Sequence, residues 1–225
     1  MKLKRAKLIP KELAEKEQQL LDRWAEGAET FVKDGLADAE QYCAAPVRIL
    51  YVLKEVNGGE SWDLRRFIRN GGRNETWNVV SRWTQSIFNL AEEPAWKTLA
   101  ENNEDRRKTY LPCIAAVNMK KTAGRCVADN KKVKQAALQN AHNLREQVAL
   151  YQPDIIVCCG TGSTFVKAMG WVPDWQMTGR GIWYFTQDQT IVVDYSHPEA
   201  RTKECLLHYG LTDAVGEIIG ETNEP

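Results

Sequence analysis

The sequence predicts an α/β domain in which a mostly parallel, four-stranded sheet lies between two layers of helices, a three-layer α/β/α arrangement. Three observations point there. Four short apolar runs recur along the chain, and helical stretches separate most of them. Strand–helix–strand connections close most simply as right-handed crossovers, which makes the strands parallel. The 225 residues are enough for one large domain with a substantial core. No internal repeat or low-complexity linker divides them. The whole chain, 1–225, is therefore expected to be one domain, with 1–45 an N-terminal helical segment packed on it.

Each element has its own signal. Residues 11–34 read as an amphipathic helix, with Leu13, Leu20, Trp24, Ala28 and Phe31 at helical spacing among charges. Residues 47–53 (VRILYVL) follow Pro46 and read as a buried strand. Residues 61–69 and 75–91 look helical, separated by Asn70-Gly71-Gly72. The second strand is 113–117 (CIAAV), opened by Pro112. A basic loop leads to a helix over 130–151, where Val133, Ala137, Ala141, Leu144, Val148 and Tyr151 form one apolar face. Asp129 or Asn130 caps its start and Pro153 stops it. The third strand is 154–159 (DIIVCC), followed by a short helix near 163–169. Residues 182–186 and 190–195 flank Asp188-Gln189 and read as a hairpin, or as an edge strand and the last core strand. A final helix is expected over 201–219.

Composition narrows the setting. Hydrophobic residues make up 43% and charged residues 27%, the ordinary globular range. No apolar run is long enough to span a bilayer, and no signal-peptide stretch follows the basic start. The expectation is a cytoplasmic protein with no membrane partner. The six cysteines form no C-x-x-C pair and no Cys/His zinc spacing, so they read as reduced thiols, with no metal and no cofactor expected. Thirty basic residues balance thirty acidic ones. That balance does not exclude DNA, because local charge matters more than the sum. Residues 120–134 hold Lys120, Lys121, Arg125, Lys131, Lys132 and Lys134 against Asp129 alone. They read either as a phosphate-facing patch or as a solvated loop and helix start.

In parallel sheets ligands bind outside the carboxyl ends of the strands. Four segments stand there. Glu55 and Asn57 follow the first strand; a carboxylate in that place can act as a base or stabilise positive charge, although alone it reads as a surface loop residue. Asn118 follows the second; its carboxamide can read a pyrimidine edge or bond its own turn. Residues 160–163 (GTGS) follow the third; they make a tight turn whose helix N–H groups, with Ser163, could meet a phosphate. His197 follows the last strand in Ser196-His197-Pro198, where it can donate to a leaving oxyanion or brace the backbone.

Together these ends resemble the uracil-DNA glycosylase superfamily over residues 47 to about 215. YVLKEVNGGES (51–61) is similar to its first active-site motif, AAVNMKK (115–121) to the strand whose terminal asparagine reads the base, DIIVCCGTGS (154–163) to the next core strand, and VVDYSHPEAR (192–201) to its histidine–proline loop. The resemblance implies that Glu55 orients water or stabilises an oxocarbenium-like sugar, that Asn118 bonds the base edge, and that His197 stabilises the departing base. It also implies that Phe67 or Trp62 stacks on the flipped base and that Arg201 lies near the duplex wedge. Lys120, Lys121, Arg125 and Ser163 would face DNA. The cysteine spacing does not support the four-cysteine iron–sulfur cluster that some members carry.

The motif also departs from the family. Val56 stands where the best-known branch has its water-activating aspartate; Lys54 replaces a glycine, Asn57 a proline, and Glu199 a serine that meets phosphate. Asn57 then either shares catalysis with Glu55 or replaces it. These departures suit a base other than uracil, such as a modified pyrimidine in foreign DNA. The expectation is a monomeric, monofunctional DNA glycosylase acting in repair or defence. Two alternatives are a non-catalytic nucleic-acid binding module and an unrelated α/β enzyme using residues 160–163 as an anion site.

Overall fold

In the computed structural model, residues 7–58, 62–124 and 127–221 are described. Their strands are β1 (Gly35–Leu36), β2 (Ile49–Leu53), β3 (Ala115–Asn118), β4 (Ile155–Cys159), β5 (Gln176–Met177), β6 (Trp183–Gln187) and β7 (Thr190–Tyr195). Their helices are α1 (Pro10–Ala25), α2 (Ala39–Ala44), α3 (Leu64–Arg69), α4 (Asn74–Phe88), α5 (Trp96–Ala100), α6 (Asn103–Tyr110), α7 (Asn130–Gln139), α8 (Ala141–Tyr151), α9 (Gly162–Met169) and α10 (Glu204–Glu221), with a 3-10 turn at Leu111–Cys113.

The strands form one sheet in the order β1-β3-β2-β4-β7-β6-β5. Its centre, β3-β2-β4-β7, is parallel, with Leu50 opposite both Ala115 and Ile156 and Cys159 opposite Tyr195. β1 joins antiparallel at one edge, and β6 with β5 antiparallel at the other. The fold is thus α/β, but the expected four-stranded sheet is corrected to a mixed sheet of seven strands. β1 and β5 have two residues each, too few to leave a period in the sequence. β6 and β7 are the expected hairpin, turned at Asp188 and Gln189 with φ of 47° and 73°.

Alternation along β2 divides the core in two. Ile49, Tyr51 and Leu53 pack with Trp83, Val80 and Leu211 of α4 and α10. Leu50 and Val52 face the other way, onto Leu144, Val148 and Phe165 of α8 and α9. Because both faces are covered, β2 and β4 are apolar and buried throughout, the pattern of a central parallel strand.

Several helices differ from expectation. α1 stops at Ala25, where Glu26 turns extended and Gly27 takes φ +75°, so Phe31 packs edge-on against Trp24 from the following loop. The expected helix over 130–151 is two, α7 and α8, broken at Asn140 (φ −105°, ψ 20°), although the apolar spacing runs across the break. α5 and α6 left no amphipathic signal because α6 is polar throughout. It packs by Arg106, whose guanidinium donates to Leu99 O (2.8 Å), Asn103 Oδ1 (2.9 Å) and Gln85 Oε1 (2.6 Å).

A buried polar network joins the N-terminal segment to the sheet. Asp34 is fully buried; its Oδ2 accepts the Asn118 backbone N–H (2.8 Å) and its Oδ1 pairs with the Lys121 ammonium (2.5 Å). Lys121 also donates to Gln147 Oε1 (2.9 Å) and lies over the Trp24 ring, 4.6 Å from its centroid. Gln147 donates to Tyr151 Oη (2.9 Å), which donates to Glu17 Oε1 (2.6 Å). Gly35 sits in this web at φ +129°, where a side chain would collide with Tyr151 and Glu17. Burial pulls the Lys121 ammonium below its ordinary range and pushes the Glu17 carboxyl above its own.

Removing one member of a buried pair strands the other. Asp34→Ala is therefore expected to cost about 3–5 kcal/mol of unfolding free energy, read as a lower urea midpoint. Adding Lys121→Met should recover part of that loss, because the uncompensated ammonium is gone.

Candidate active site

Glu55, Asn118 and His197 leave β2, β3 and β7 at the same edge of the sheet, because the parallel pairing points those three strands the same way. β3 and β7 are three strand positions apart, roughly 14 Å at the backbone.

The loops after β2 and β3 are zipped together beyond the sheet. Met119 N donates to Leu53 O (3.0 Å), Lys120 N to Lys54 O (3.0 Å), Gly124 N to Val56 O (2.8 Å) and Gly58 N to Gly124 O (3.3 Å). Val56 is buried in the α4–α10 core. The Glu55 carboxylate is 5% exposed and pairs with the Lys120 ammonium at 2.5 Å. Lys120 also donates to Thr122 O (3.0 Å) and Ala123 O (3.2 Å). Gly124 has no side chain, and Glu55 occupies the space one would fill. Asn57 bridges to Gly124 and is exposed.

Asn118 is 1% exposed. Its backbone N–H is held by Asp34, yet neither its Oδ1 nor its Nδ2 has a hydrogen-bond partner among the described residues. Alternation places it on the side of Ala116 and Leu53, toward α3, α4 and α10. A buried carboxamide without partners is uncommon and costly, so it needs a reason.

His197 follows β7. Its Nδ1 accepts the Glu199 N–H at 3.1 Å, which puts the proton of the neutral ring on Nε2. Burial lowers its pKa below the ordinary 6.5; Glu199 opposes the shift, and Lys54 and Arg73 reinforce it. Gly160, at φ +67°, closes the turn between β4 and α9, and a side chain there would lie 3.8 Å from both the His197 nitrogen and Lys54 Cε. Lys54 and His197 thus stand together above β4. Glu199 is held by the Arg73 guanidinium and the Thr76 hydroxyl. Burial raises its carboxyl, but those two partners and His197 outweigh it and the net shift is downward. The Glu199 charge is thus balanced by Arg73 rather than by Arg201.

Trp62 and Phe67 need not compete. Their rings meet edge to face, centroids 5.2 Å apart at 87°, and Trp62 Nε1 donates to Gly58 O (3.3 Å). Phe67 is 36% exposed and presents its ring outward.

The expected phosphate contacts fare differently. Lys121 is 6% exposed inside the Asp34 network, and Lys120 is bound to Glu55, so both lysines are corrected to internal partners. Lys120 turns into the zipped loop, and Lys121 turns the other way, into the Asp34 network. Ser163 is exposed in the first turn of α9, and Arg201 is exposed beyond the His197 loop. Arg125 lies outside the described residues. Lys54 was visible in the motif only as a departure. Arg73 and Thr76 reach Glu199 across more than 120 residues, with no local signal.

Among the described residues no three His, Cys, Asp or Glu side chains gather as a metal-ion set, and no helix is long and apolar enough to cross a membrane. No protein-family model matches the chain, and no curated protein matches it in sequence.

His197 should titrate below its ordinary value in an NMR pH series, and Lys54→Met should raise it by removing a nearby like charge. The sign for stability follows. On acidification below about 6.5 the unfolded imidazole takes a proton before the folded one, so this group subtracts stability as pH falls.

Proposed function

We propose that this chain is a monofunctional DNA glycosylase, a divergent relative of the uracil-DNA glycosylases, that hydrolyses the N-glycosidic bond of a flipped base. The observation that carries the reading is Asn118: a buried carboxamide with both its donor and its acceptor unmet, at the sheet edge that also bears His197. A base edge offering one acceptor and one donor would meet both.

The chemistry assigns each group a role. The C1′–N bond breaks with its electron pair on the base, leaving an oxocarbenium-like sugar. The His197 Nε2–H donates to the oxygen where that negative charge gathers, and the Lys54 ammonium adds to the stabilising field. Glu55, fixed by Lys120, sets negative charge near the cationic sugar. Glu55 or Asn57 orients the water whose oxygen bonds C1′; the water's proton leaves to solvent or to the base. Phe67 and Trp62 offer an aromatic face to the extruded base. Ser163 and Arg201 meet the DNA backbone. In this reading the protein is a cytoplasmic monomer that needs no cofactor. The substitutions at Lys54, Val56 and Asn57 favour a modified or damaged base, in defence against foreign DNA or in repair.

A second reading has its own support. Glu55 is neutralised by Lys120, and both lysines expected on phosphate are held internally. A module that binds nucleic acid without releasing a base would carry those features too.

The deciding assay is base release, by mass spectrometry, from oligonucleotides bearing uracil, hypoxanthine or modified cytosines. Wild-type protein should leave abasic sites in at least one. His197→Ala should lower that rate by about 100- to 1,000-fold, and Asn118→Ala should relax discrimination between bases. DNA binding that falls steeply with salt, with no base released from any substrate, would establish the non-catalytic reading instead.

A further inference from the structure

We propose that a cavity on the opposite face of the sheet from Asn118 binds a small quaternary or methylated ammonium ion. The cavity has a volume of about 490 Å³ and is lined by Ser163, Val166, Trp175, Trp183 and Asp194. That volume lies in the range of small-ligand sites. It lies across the sheet from the Asn118 carboxamide, since Asp194 alternates with Val193 and Tyr195, which face the α4–α10 core.

The lining fits a cation. Trp183 and Asp194 are directly opposed across the antiparallel β6–β7 pair, so their side chains rise from the same face as close neighbours. Trp183 is 49% exposed, a large indole left partly in solvent. Trp175 completes a second wall, its ring held edge-on by Phe185 with centroids 4.8 Å apart. Indole faces attract cations, and most strongly those too weakly hydrated to resist leaving water.

Asp194 supplies the charge. It is the one ionisable residue in the lining, and no cationic side chain pairs with it among the described residues. Its carboxyl accepts the Gly162 N–H at the start of α9, and a side chain on Gly162 would collide with it. One amide and a helix end offer partial positive charge, not a full counter-ion. Partial burial raises the Asp194 carboxyl above its usual range, the effect expected of an acid that lacks a partner. A methylated ammonium ion between the two indoles would provide one, with its methyl groups on the rings and Val166.

The test is calorimetric titration of the full chain with choline. Its uncharged isostere, 3,3-dimethylbutan-1-ol, serves as control. Choline should bind at least about tenfold more tightly than the isostere, and Asp194→Asn and Trp183→Ala should each weaken it by about tenfold or more. Asp194→Asn keeps an oxygen for the Gly162 N–H, so it isolates charge from folding; circular dichroism checks both variants. Equal binding of choline and isostere, unchanged binding in Asp194→Asn, or no choline binding would overturn the proposal. Base release, measured in parallel, should be unaffected by Asp194→Asn.

Discussion

Asp34 is the constraint on which the site depends. A fully buried carboxylate must have partners, and the three it finds come from distant parts of the chain: the Asn118 amide, Lys121 and Gln147. Through them the N-terminal segment, the end of β3 and α8 are fixed to one another. The position of Asn118 is thus set by its own backbone, and its buried carboxamide takes no part in holding the turn. A side chain that had to hold its own turn could not present both polar atoms to a ligand.

The same economy of positioning recurs at the other strand ends. Lys120 holds Glu55, the zipped backbone between 53–58 and 118–124 holds Lys120, and the Glu199 amide holds the His197 ring, with Arg73 and Thr76 bracing Glu199 in turn. Glu55, Asn118 and His197 are each fixed by a partner, respectively Lys120, Asp34 and the Glu199 amide. Such support is what keeps polar groups aimed when no ligand is present.

Much of this was legible in the sequence, for identifiable reasons. The apolar runs 47–53, 154–159 and 190–195 are buried on both faces and so leave strong signals, and the parallel order then places Glu55, Asn118 and His197 at one edge. What was hidden lacked a local signature. β1 and β5 are two residues long. α6 carries no apolar stripe because arginine packs it. Asn140 breaks a helix without disturbing its hydrophobic spacing. A basic stretch at 120–134 looks the same in sequence whether its lysines face solvent or, like Lys121, a carboxylate buried eighty-seven residues away. Partners such as Arg73 and Glu199 are joined only by the fold.

The unbonded carboxamide of Asn118 also has a thermodynamic side. A buried carboxamide that finds no partner among the described residues carries a desolvation cost, and a complementary edge would offset it. An apolar residue of similar shape in its place would remove that cost, and with it the paired donor and acceptor on which the proposed base site rests.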